Sequence, residues 1–293
     1  MVNRDYITKN VTGIIVLYNS TNEILDCLNQ LSQINFIIID NGKCNPDLIT
    51  KILNYKNIKY IKAKKNLGFG RANNFAFKYV KTKYALLINS DVKTSINDLI
   101  NLVDGMIKYP KTGIAVPNLT NNENKNIDYL EILPEISKKF INKRPNKNYY
   151  EQNLIKGDTC ISFCWGAIML LDVEIFKRIG LFDKKYFLFW EDYDLCRKLY
   201  FKKIPLVKIY NSKARHLKHQ SVKKNIYNFF IIEMYHVYSS YIYFAVNKDE
   251  GRLNKKILIY LLRIFSYLMI LNIKGSIKNL ARFYAIIKYK FNL

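Results

Sequence analysis

Three acidic residues stand directly behind an aromatic run in the second half of the chain. Glu191, Asp192 and Asp194 follow the aromatic run at 186–190. Apolar surroundings raise the pKa of a carboxyl group towards that of a general base. Glu191 and Asp194 could instead pair with the basic residues one helical turn later. We expect both, with one acid catalytic and the others structural.

A second acidic residue, Asp91, ends the apolar segment Tyr84 to Ile88 as part of Asn89-Ser90-Asp91. A carboxylate at such a position can ligate Mg²⁺ or Mn²⁺ while the metal keeps substrate phosphates among its ligands. A turn that begins a helix explains the same residues equally well. A lone histidine such as His216 is usually a structural or surface residue. Its two possible functions here are to complete a metal site with Asp91 or to contact a diphosphate.

A glycine-rich segment, Gly68-Phe69-Gly70-Arg71, precedes a helical stretch. It is not GxGxxG, because position 73 is Asn73, and no Gly-Lys-Ser/Thr follows as in a P-loop. A glycine turn that opens a helix offers free N–H groups, and Arg71 could face an anion beside them. A plain helix entry is the alternative.

The elements that must position these residues alternate between strand and helix, which predicts an α/β domain with a mainly parallel sheet. Three predicted strands end in polar residues, at Tyr18-Asn19, Asp40-Asn41 and Asn89-Ser90-Asp91. Ligands bind outside the carboxyl ends of parallel strands. Together with the glycine-rich segment, these ends favour a nucleotide site. Residues 119–158 read as a variable, partly helical insertion.

The charge of +24, from 47 Lys+Arg against 23 Asp+Glu, implies an anionic partner. From Arg197 onward the chain has 20 basic and 3 acidic residues among long aromatic and aliphatic runs. This pattern suits a membrane surface better than nucleic acid, so we expect no nucleic acid partner. Five cysteines without a CxxC pair and a polar amino terminus predict a cytoplasmic protein.

The carboxyl-terminal part, residues 223–293, reads as basic amphipathic helices, and residues 1–222 as the catalytic domain. The stretch Ile257 to Ile273 is 17 residues long and contains Arg263. A spanning helix needs about 20 apolar residues without a central charge. We expect these helices to lie on the inner, anionic face of the cell membrane, with packing on the catalytic domain as the alternative.

The ordered motifs between residues 11 and 221 resemble the family-2 glycosyltransferases of GT-A fold, in particular their bacterial rhamnosyltransferase-like branch. The motifs are Val16-Leu17-Tyr18-Asn19, Ile39-Asp40-Asn41-Gly42, Asn66-Leu67-Gly68-Phe69-Gly70-Arg71-Ala72-Asn73-Asn74, Leu87-Ile88-Asn89-Ser90-Asp91, Trp165-Gly166-Ala167, Ile179-Gly180-Leu181-Phe182-Asp183, Phe187-Leu188-Phe189-Trp190-Glu191-Asp192-Tyr193-Asp194-Leu195-Cys196-Arg197, and His216 with Ser221.

This resemblance implies a role for each matching residue. Asp192 would be the base, supported by Glu191, and Asp91 and His216 would hold Mg²⁺ or Mn²⁺. The donor nucleotide would contact Tyr18, Asn19, Asp40, Asn41, Gly68, Arg71 and Asn89. The acceptor would contact Trp165, Gly166 and Trp190.

The implied reaction is an inverting transfer of a sugar from a dTDP- or UDP-sugar, with rhamnose as the first expectation. The acceptor would be a glycan or a polyprenyl-diphosphate-linked glycan in the synthesis of a bacterial surface polysaccharide (O-antigen or capsule). Asn89 replaces the first acid of the family's strict metal motif, which leaves one negative charge fewer at the metal. A nucleotidyltransferase, which would release pyrophosphate, and a basic nucleic-acid-binding protein are the alternatives.

Overall fold

The chain folds into two units, each described here by itself from a computed structural model. The first unit comprises residues 1–183 and 192–221, and the second, the C-terminal unit, comprises 184–191 and 222–293. The structure describes residues 2–19, 22–42, 44–123, 125, 132–134, 156–217, 225–244 and 250–291. Most of the predicted insertion at 119–158 lies outside these residues. The domain boundary predicted after residue 222 stays a prediction. Residues 184–191 group with the C-terminal helices, which the sequence did not indicate.

Nine strands of the first unit form one sheet in the described residues. Their bounds are β1 Val11–Leu17, β2 Asn35–Asp40, β3 Ile58–Lys62, β4 Tyr84–Ile88, β5 Val92–Thr94, β6 Ile114–Thr120, β7 Thr159–Cys160, β8 Ile168–Asp172 and β9 Leu206–His216. The order is β3-β2-β1-β4-β8-β6-β9-β5, with β7 paired to β9.

The sheet is parallel on one side and mixed on the other. Strands β3, β2, β1 and β4 are parallel, as the βα alternation predicts. Strand β8 runs antiparallel to both β4 and β6, while β9 is parallel to β6 and antiparallel to β5 and β7. The parallel arrangement expected from the sequence therefore holds for one half of the sheet, and the antiparallel pairings of the mixed half were not predicted.

Besides one 3₁₀ helix at Phe77–Tyr79, the described residues contain ten α-helices. They are α1 Arg4–Asn10, α2 Glu23–Gln30, α3 Pro46–Leu53, α4 Phe69–Ala76, α5 Ile96–Lys108, α6 Val173–Arg178, α7 Glu191–Phe201, α8 Ile226–Tyr243, α9 Glu250–Met269 and α10 Ile273–Phe291. Helix α1 was not predicted, because the amino terminus looks polar. The Asn3 side chain accepts the N–H of Tyr6 at its start, and Ile7 is fully buried.

The central strands are apolar on both faces because helices cover both. Successive strand residues point to opposite faces. Accordingly, Ile15 and Leu17 of β1 belong to the core that includes α2, α3 and α5, and Ile14 belongs to the core that includes α4, α6 and α7. Every residue of β4 is buried. Continuous apolar strands are what a sheet covered on both faces requires.

Strand register brings the polar strand ends to one edge. Leu17 at the end of β1 pairs with Asp40 at the end of β2, and Ile14 of β1 pairs with Leu87 of β4. Because these three strands are parallel, the residues that follow them emerge on the same side of the sheet. We call this side the carboxyl edge.

The tightest core contact gives a stability prediction. A Cβ added at Gly13 would lie 2.2 Å from Cε1 of the buried Phe36 ring. Gly13→Ala should therefore lower the free energy of unfolding by about 1–3 kcal/mol through overpacking, measured by urea denaturation. Adding Phe36→Leu should recover part of the loss, because the two sites are coupled. An unchanged denaturation midpoint for Gly13→Ala would show that the packing is looser than described.

Candidate active site

The turns after β1 and β2 approach each other closely at the carboxyl edge. Asn19 has a left-handed backbone, with φ 52°. A Cβ at Gly42 would lie 3.0 Å from Cδ2 of Tyr18 and 3.1 Å from the backbone nitrogen of Asn19. Only a residue without a side chain fits this spacing comfortably. The two turns predicted to bind the nucleotide are thus adjacent.

Asp40 is buried in a nearly complete shell of donors. Its Oδ1 accepts the N–H of Gly42 at 3.1 Å and the thiol of Cys44 at 3.3 Å, and its Oδ2 accepts the hydroxyl of Tyr60 at 2.7 Å. Burial, and then the Asp40 carboxylate, raises the pKa of Tyr60, so this hydroxyl remains a donor. Among the described residues, these donors fill three of the about four acceptor positions of the carboxylate. The predicted contact between Asp40 and the nucleotide stays a prediction.

Asn41 fixes the glycine-rich segment. Its amide nitrogen donates to Oδ1 of Asn66 at 2.9 Å and to the carbonyl of Gly68 at 3.0 Å, while its amide oxygen accepts the N–H of Leu67 at 2.7 Å. Gly68 has φ 77° directly before α4, a backbone that favours glycine. Asn41 thereby sets where α4 begins and where the exposed Arg71 in its first turn is held. Its predicted direct contact with the donor is untested.

The structure brings together the two predicted metal ligands, although 125 positions separate them. Strand β5 pairs with β9, with Val92 opposite His216, and the N–H of Leu217 donates to the carbonyl of Asp91 at 2.9 Å. Nε2 of His216 lies 3.3 Å from Oδ1 of Asp91, whose side chain is 7% exposed. The pair thus lies at the carboxyl edge where β4 ends.

These two side chains fit a weakly held, hard cation. Among the residues that the structure describes, no group of three or more His, Cys, Asp or Glu could hold a metal. Mg²⁺ is characteristically bound through one or two carboxylates and completes its shell with water and substrate phosphates. Asp91 supplies such a carboxylate, and His216 adds an imidazole nitrogen, a ligand more typical of transition metals. The neutral Asn89 in place of an acid agrees with a site that depends on the donor for part of its ligands.

Asp192 lies on the same side as this pair, linked to it through strand β8. The N–H of Asn89 donates to the carbonyl of Ala167 at 2.9 Å. The N–H of the neighbouring Gly166 lies 3.4 Å from Oδ2 of Asp192, and the N–H of Tyr193 donates to Oδ1 at 2.9 Å. The segment containing Gly166 therefore connects the metal motif directly to the predicted base.

Gly166 also leaves room beside Asp192. A Cβ at this position would be 3.2 Å from Cε1 of Phe69 and 3.9 Å from Cβ of Asp192. The preceding Trp165 is 36% exposed, and its ring lies edge-on to Phe163 at 5.4 Å. Trp165 thus exposes an aromatic ring next in sequence to the residue that contacts Asp192, and the acceptor contacts of Trp165 and Gly166 stay a prediction.

The other two acids of the run differ from Asp192. Asp194 is buried and pairs with Arg197 at 2.7 Å and with Lys198 at 3.0 Å, which confirms the predicted ion pairs along the helix for this residue. Glu191 is the first residue of α7, is 6% exposed and belongs to the C-terminal unit. Its supporting role in catalysis stays a prediction.

The turn before α7 has an uncommon backbone. Phe189 and Trp190 have φ 65° and 68°, a left-handed conformation that costs about 1–2 kcal/mol for each side-chain-bearing residue. Helix α8 offsets this cost within the C-terminal unit. The indole N–H of Trp190 donates to the carbonyl of His236 at 3.1 Å, and the hydroxyl of Ser239 donates to the carbonyl of Leu188 at 2.8 Å.

The Trp190 ring has a structural use that the sequence did not indicate. It packs on Tyr243 at 5.1 Å and on Phe244 at 5.3 Å. These contacts hold the turn that leads into Glu191 and Asp192. An acceptor contact of Trp190 stays a prediction.

Sequence reasoning missed several residues that build the site. Tyr60 and Cys44 each donate a hydrogen bond to the Asp40 carboxylate. Asn74 binds the segment before α7, because its side chain accepts the N–H of Phe182 at 3.1 Å and donates to the Phe182 carbonyl at 2.8 Å. For Asn74, the only signal in the sequence was the recurrence of Asn within the glycine-rich motif. Nothing in the sequence indicates the partner of a side chain that is 108 positions away.

A separate open cavity of about 1000 Å³ is lined by basic residues but contains none of the predicted site residues. Lys93, Lys208, Lys213 and Arg215 line it together with Asp98. That carboxylate caps α5 through Ser95 and accepts the N–H of Lys213 at 2.8 Å. The acids that could perform chemistry therefore lie at the carboxyl edge.

The family model described as "Glycosyl transferase family 2" matches residues 12–180. The curated relatives include the rhamnosyltransferase WbbL of Escherichia coli (strain K12), which is 27% identical over 234 residues, 76% of this chain and 87% of the relative. The N-acetylglucosaminyl-diphospho-decaprenol L-rhamnosyltransferase of Mycobacterium tuberculosis (strain ATCC 25618 / H37Rv) is 20% identical over 57% of this chain and 61% of its own. The alignment thus spans less than two thirds of that relative.

Two solved structures share the fold at low sequence identity. The mannosyltransferase PcManGT from Pyrobaculum calidifontis, in complex with GDP-Man and Mn²⁺, has a TM-score of 0.54 at 12% identity, over 97% of this chain and 87% of that chain. GalNAc-T7 with UDP, GalNAc and Mn²⁺ has a TM-score of 0.57 at 13% identity, over 79% of this chain and 49% of that chain. These likenesses confirm the predicted GT-A architecture.

The role of Asn41 gives a prediction for the site. Asn41→Ala removes the partners of the Leu67 N–H and the Gly68 carbonyl, so the free energy of unfolding should fall by about 2 kcal/mol. The loosened segment should also bind UDP more weakly, measured as a smaller shift in melting temperature. Asn54→Ala, at the exposed end of α3, is the matched control and should change neither. Equal stability and equal UDP binding for Asn41→Ala would contradict the assigned role.

Proposed function

Because the chain belongs to glycosyl transferase family 2 and is a glycosyltransferase, we propose that it transfers rhamnose, or else a hexose, from a dTDP- or UDP-sugar. The acceptor in this proposal is a glycan or a polyprenyl-diphosphate-linked glycan of a bacterial surface polysaccharide. The rhamnosyltransferases among the relatives support the sugar, and the decaprenol-linked substrate in the name of one relative supports the lipid carrier. We further propose that the enzyme acts at the inner face of the cell membrane.

One observation carries the proposal: the Asp91–His216 pair and Asp192 are linked through two neighbouring residues of one segment. Asn89 binds Ala167, and Gly166 contacts Asp192. A glycosyltransferase needs a place for the donor diphosphate beside a base for the acceptor hydroxyl. A chain with only a nucleotide site would have no need for the second carboxylate.

In the proposed reaction, Asp192 takes the proton of the acceptor hydroxyl as that oxygen attacks the anomeric carbon. The bond between the anomeric carbon and the diphosphate oxygen breaks, and the electron pair leaves with the nucleoside diphosphate. This single displacement inverts the anomeric configuration. Asp91 and His216 would hold a Mg²⁺ or Mn²⁺ ion, which neutralises charge on the leaving diphosphate. Arg71 at the start of α4 adds a cation on the donor side.

The half-buried position of Asp192 fits the role of a base. Its two oxygens receive the N–H groups of Tyr193 and Gly166, which orient the carboxylate. Asp194, by contrast, is held by Arg197 and Lys198, so its charge is already compensated. The geometry thus favours Asp192 over Asp194 as the group that accepts the proton.

Substitution of the base should separate catalysis from binding. Asp192→Asn keeps the shape and one oxygen that can accept a backbone N–H but removes the basic group, so kcat should fall by roughly 10²–10⁴-fold. Donor affinity should stay the same, measured by isothermal titration of the nucleotide sugar. Glu174→Gln, an exposed acid on α6, is the control and should keep full activity. Substantial turnover by Asp192→Asn would exclude it as the base.

Substitution of the metal ligand should act on binding. Asp91→Asn should weaken UDP affinity about tenfold or more in the presence of Mn²⁺, because one of two protein ligands loses its charge. In EDTA the variant and the wild type should bind UDP with similar affinity. The exposed Asp47→Asn is the matched control. The metal assignment would fail if Asp91→Asn kept the wild-type response to Mn²⁺.

A further inference from the structure

The last two helices form a hairpin with a row of large apolar side chains exposed on α9. On α9, Leu258, Leu262, Phe265 and Met269 follow each other at spacings of four, three and four residues. This spacing places them in one stripe along the helix. Their side chains are 57%, 59%, 64% and 85% exposed. Exposed apolar stripes of this kind mark an interaction surface.

Near the turn, the side of α10 that faces α9 consists of small and polar residues, whereas Leu253 and Ile286 form an apolar cluster at the far end of the hairpin. A Cβ added at Gly275 would lie 2.6 Å from Cδ1 of Tyr267. The hydroxyl of Ser276, which is 6% exposed, lies 3.4 Å from the carbonyl of Ile264. Close approach through small residues is how helices pair inside membranes, where apolar side chains face the lipid. The turn end of this hairpin has the same distribution, with small residues between the helices and large apolar residues outside.

The turn between the two helices extends the apolar surface. Met269, Ile270, Leu271 and Ile273 are 85%, 69%, 85% and 61% exposed. The turn has a defined structure, because Leu271 has φ 53° and Oδ1 of Asn272 accepts the N–H of Gly275 at the start of α10. We call these four residues the apolar tip. Four exposed apolar residues within the five positions 269–273 are costly in water and need a partner.

The charge next to the apolar tip identifies the kind of partner. Residues 251–293 contain nine Lys and Arg and no Asp or Glu. Exposed Arg263 follows Leu262 of the stripe, and exposed Lys274 follows Ile273 of the apolar tip. On α8, Glu233 lies 3.8 Å from Lys278 and from Arg282, so those two cations have an acidic neighbour. A basic rim around an apolar patch complements acidic phospholipid headgroups above acyl chains.

We propose that this hairpin docks the enzyme on an anionic membrane, with the apolar tip and the α9 stripe inserted among the acyl chains of one leaflet and Arg263 and Lys274 at the phosphates. No helix within the described residues is apolar and long enough to cross a bilayer, which fits a hairpin held in one leaflet. A second copy of this chain is a poorer occupant, because two such basic faces repel each other. The inference deepens the proposed location and rests on the proposed function only in that the acceptor lies at this membrane.

Vesicle co-sedimentation of the full-length protein tests the proposal without donor or acceptor. The wild type should bind vesicles of phosphatidylcholine and phosphatidylglycerol, and bind pure phosphatidylcholine vesicles far less. Met269→Ser/Ile270→Ser/Leu271→Ser should weaken binding at least about tenfold, because the side chains that enter the leaflet are lost. Arg263→Gln/Lys274→Gln should weaken it about tenfold at low salt and less at high salt.

Two controls keep the outcome specific to the hairpin. Leu53→Ser, which removes a 59% exposed apolar residue from α3, and Lys203→Gln, an exposed cation of the first unit, should bind vesicles like the wild type. The melting temperatures of the tip variants should match the wild type, since the altered side chains contact mainly solvent.

Three results would overturn the proposal. They are wild-type protein that stays in solution with phosphatidylglycerol vesicles, tip variants that bind like the wild type, and a wild-type dimer in light scattering that the tip substitutions convert to a monomer. Release of nucleoside diphosphate with a water-soluble acceptor analogue is measured separately. If that activity is present and vesicle binding is absent, the docking surface fails and the proposed reaction stands.

Discussion

The backbone pairing of β4 with β8 is the constraint on which the rest of the site depends. Register aligns Ile88 with Ile168, and the next hydrogen bond joins the N–H of Asn89 to the carbonyl of Ala167. Because β8 is antiparallel to β4, its amino-terminal end meets the carboxyl end of β4. A parallel strand in this place would have brought its carboxyl end there and left Trp165 and Gly166 at the opposite edge.

Two further pairings add the remaining groups to that junction. The antiparallel contact of β5 with β9 brings His216 to Asp91, and α7 presents Asp192 to Gly166. The donor side is assembled independently, by the amide of Asn41 and the close turns at Gly42. The site is thus a product of strand order, and each chemical group comes from a different element. Such an arrangement tolerates sequence change in the helices more readily than at the strand ends.

The C-terminal unit contains the left-handed turn that precedes the acidic run, as well as the apolar hairpin. Helix α8 binds the left-handed turn at Phe189 and Trp190, which lies directly before Glu191 and Asp192 in the chain. Strained backbone persists where surrounding contacts over-determine it and is often found at functional sites. The same unit carries the outward-facing apolar hairpin. One part of the chain thus both supports the turn before the proposed base, Asp192, and presents the surface proposed to meet the membrane.

Much of the parallel half of the fold could be predicted from the sequence, because it rests on local patterns. The apolar runs of β1 and β4, the bounds of α3 and the glycine before α4 all follow from nearest-neighbour chemistry. The ion pairs of Asp194 with Arg197 and Lys198 follow from helical spacing. The antiparallel strands, the meeting of Asp91 with His216 and the use of Trp190 depend on contacts distant in sequence. Residue types alone carry no information on those partners.

The most direct test of the central claim is a crystal structure with UDP and Mn²⁺, with the metal located by its anomalous scattering. The account predicts one strong peak within coordination distance of the Asp91 carboxylate and of His216, bridged to the diphosphate. It also predicts the nucleoside between the turns after β1 and β2, and Asp192 on the side of the metal that faces Gly166. A nucleotide bound with its diphosphate away from Asp91, or a metal peak remote from the carboxyl edge, would contradict it.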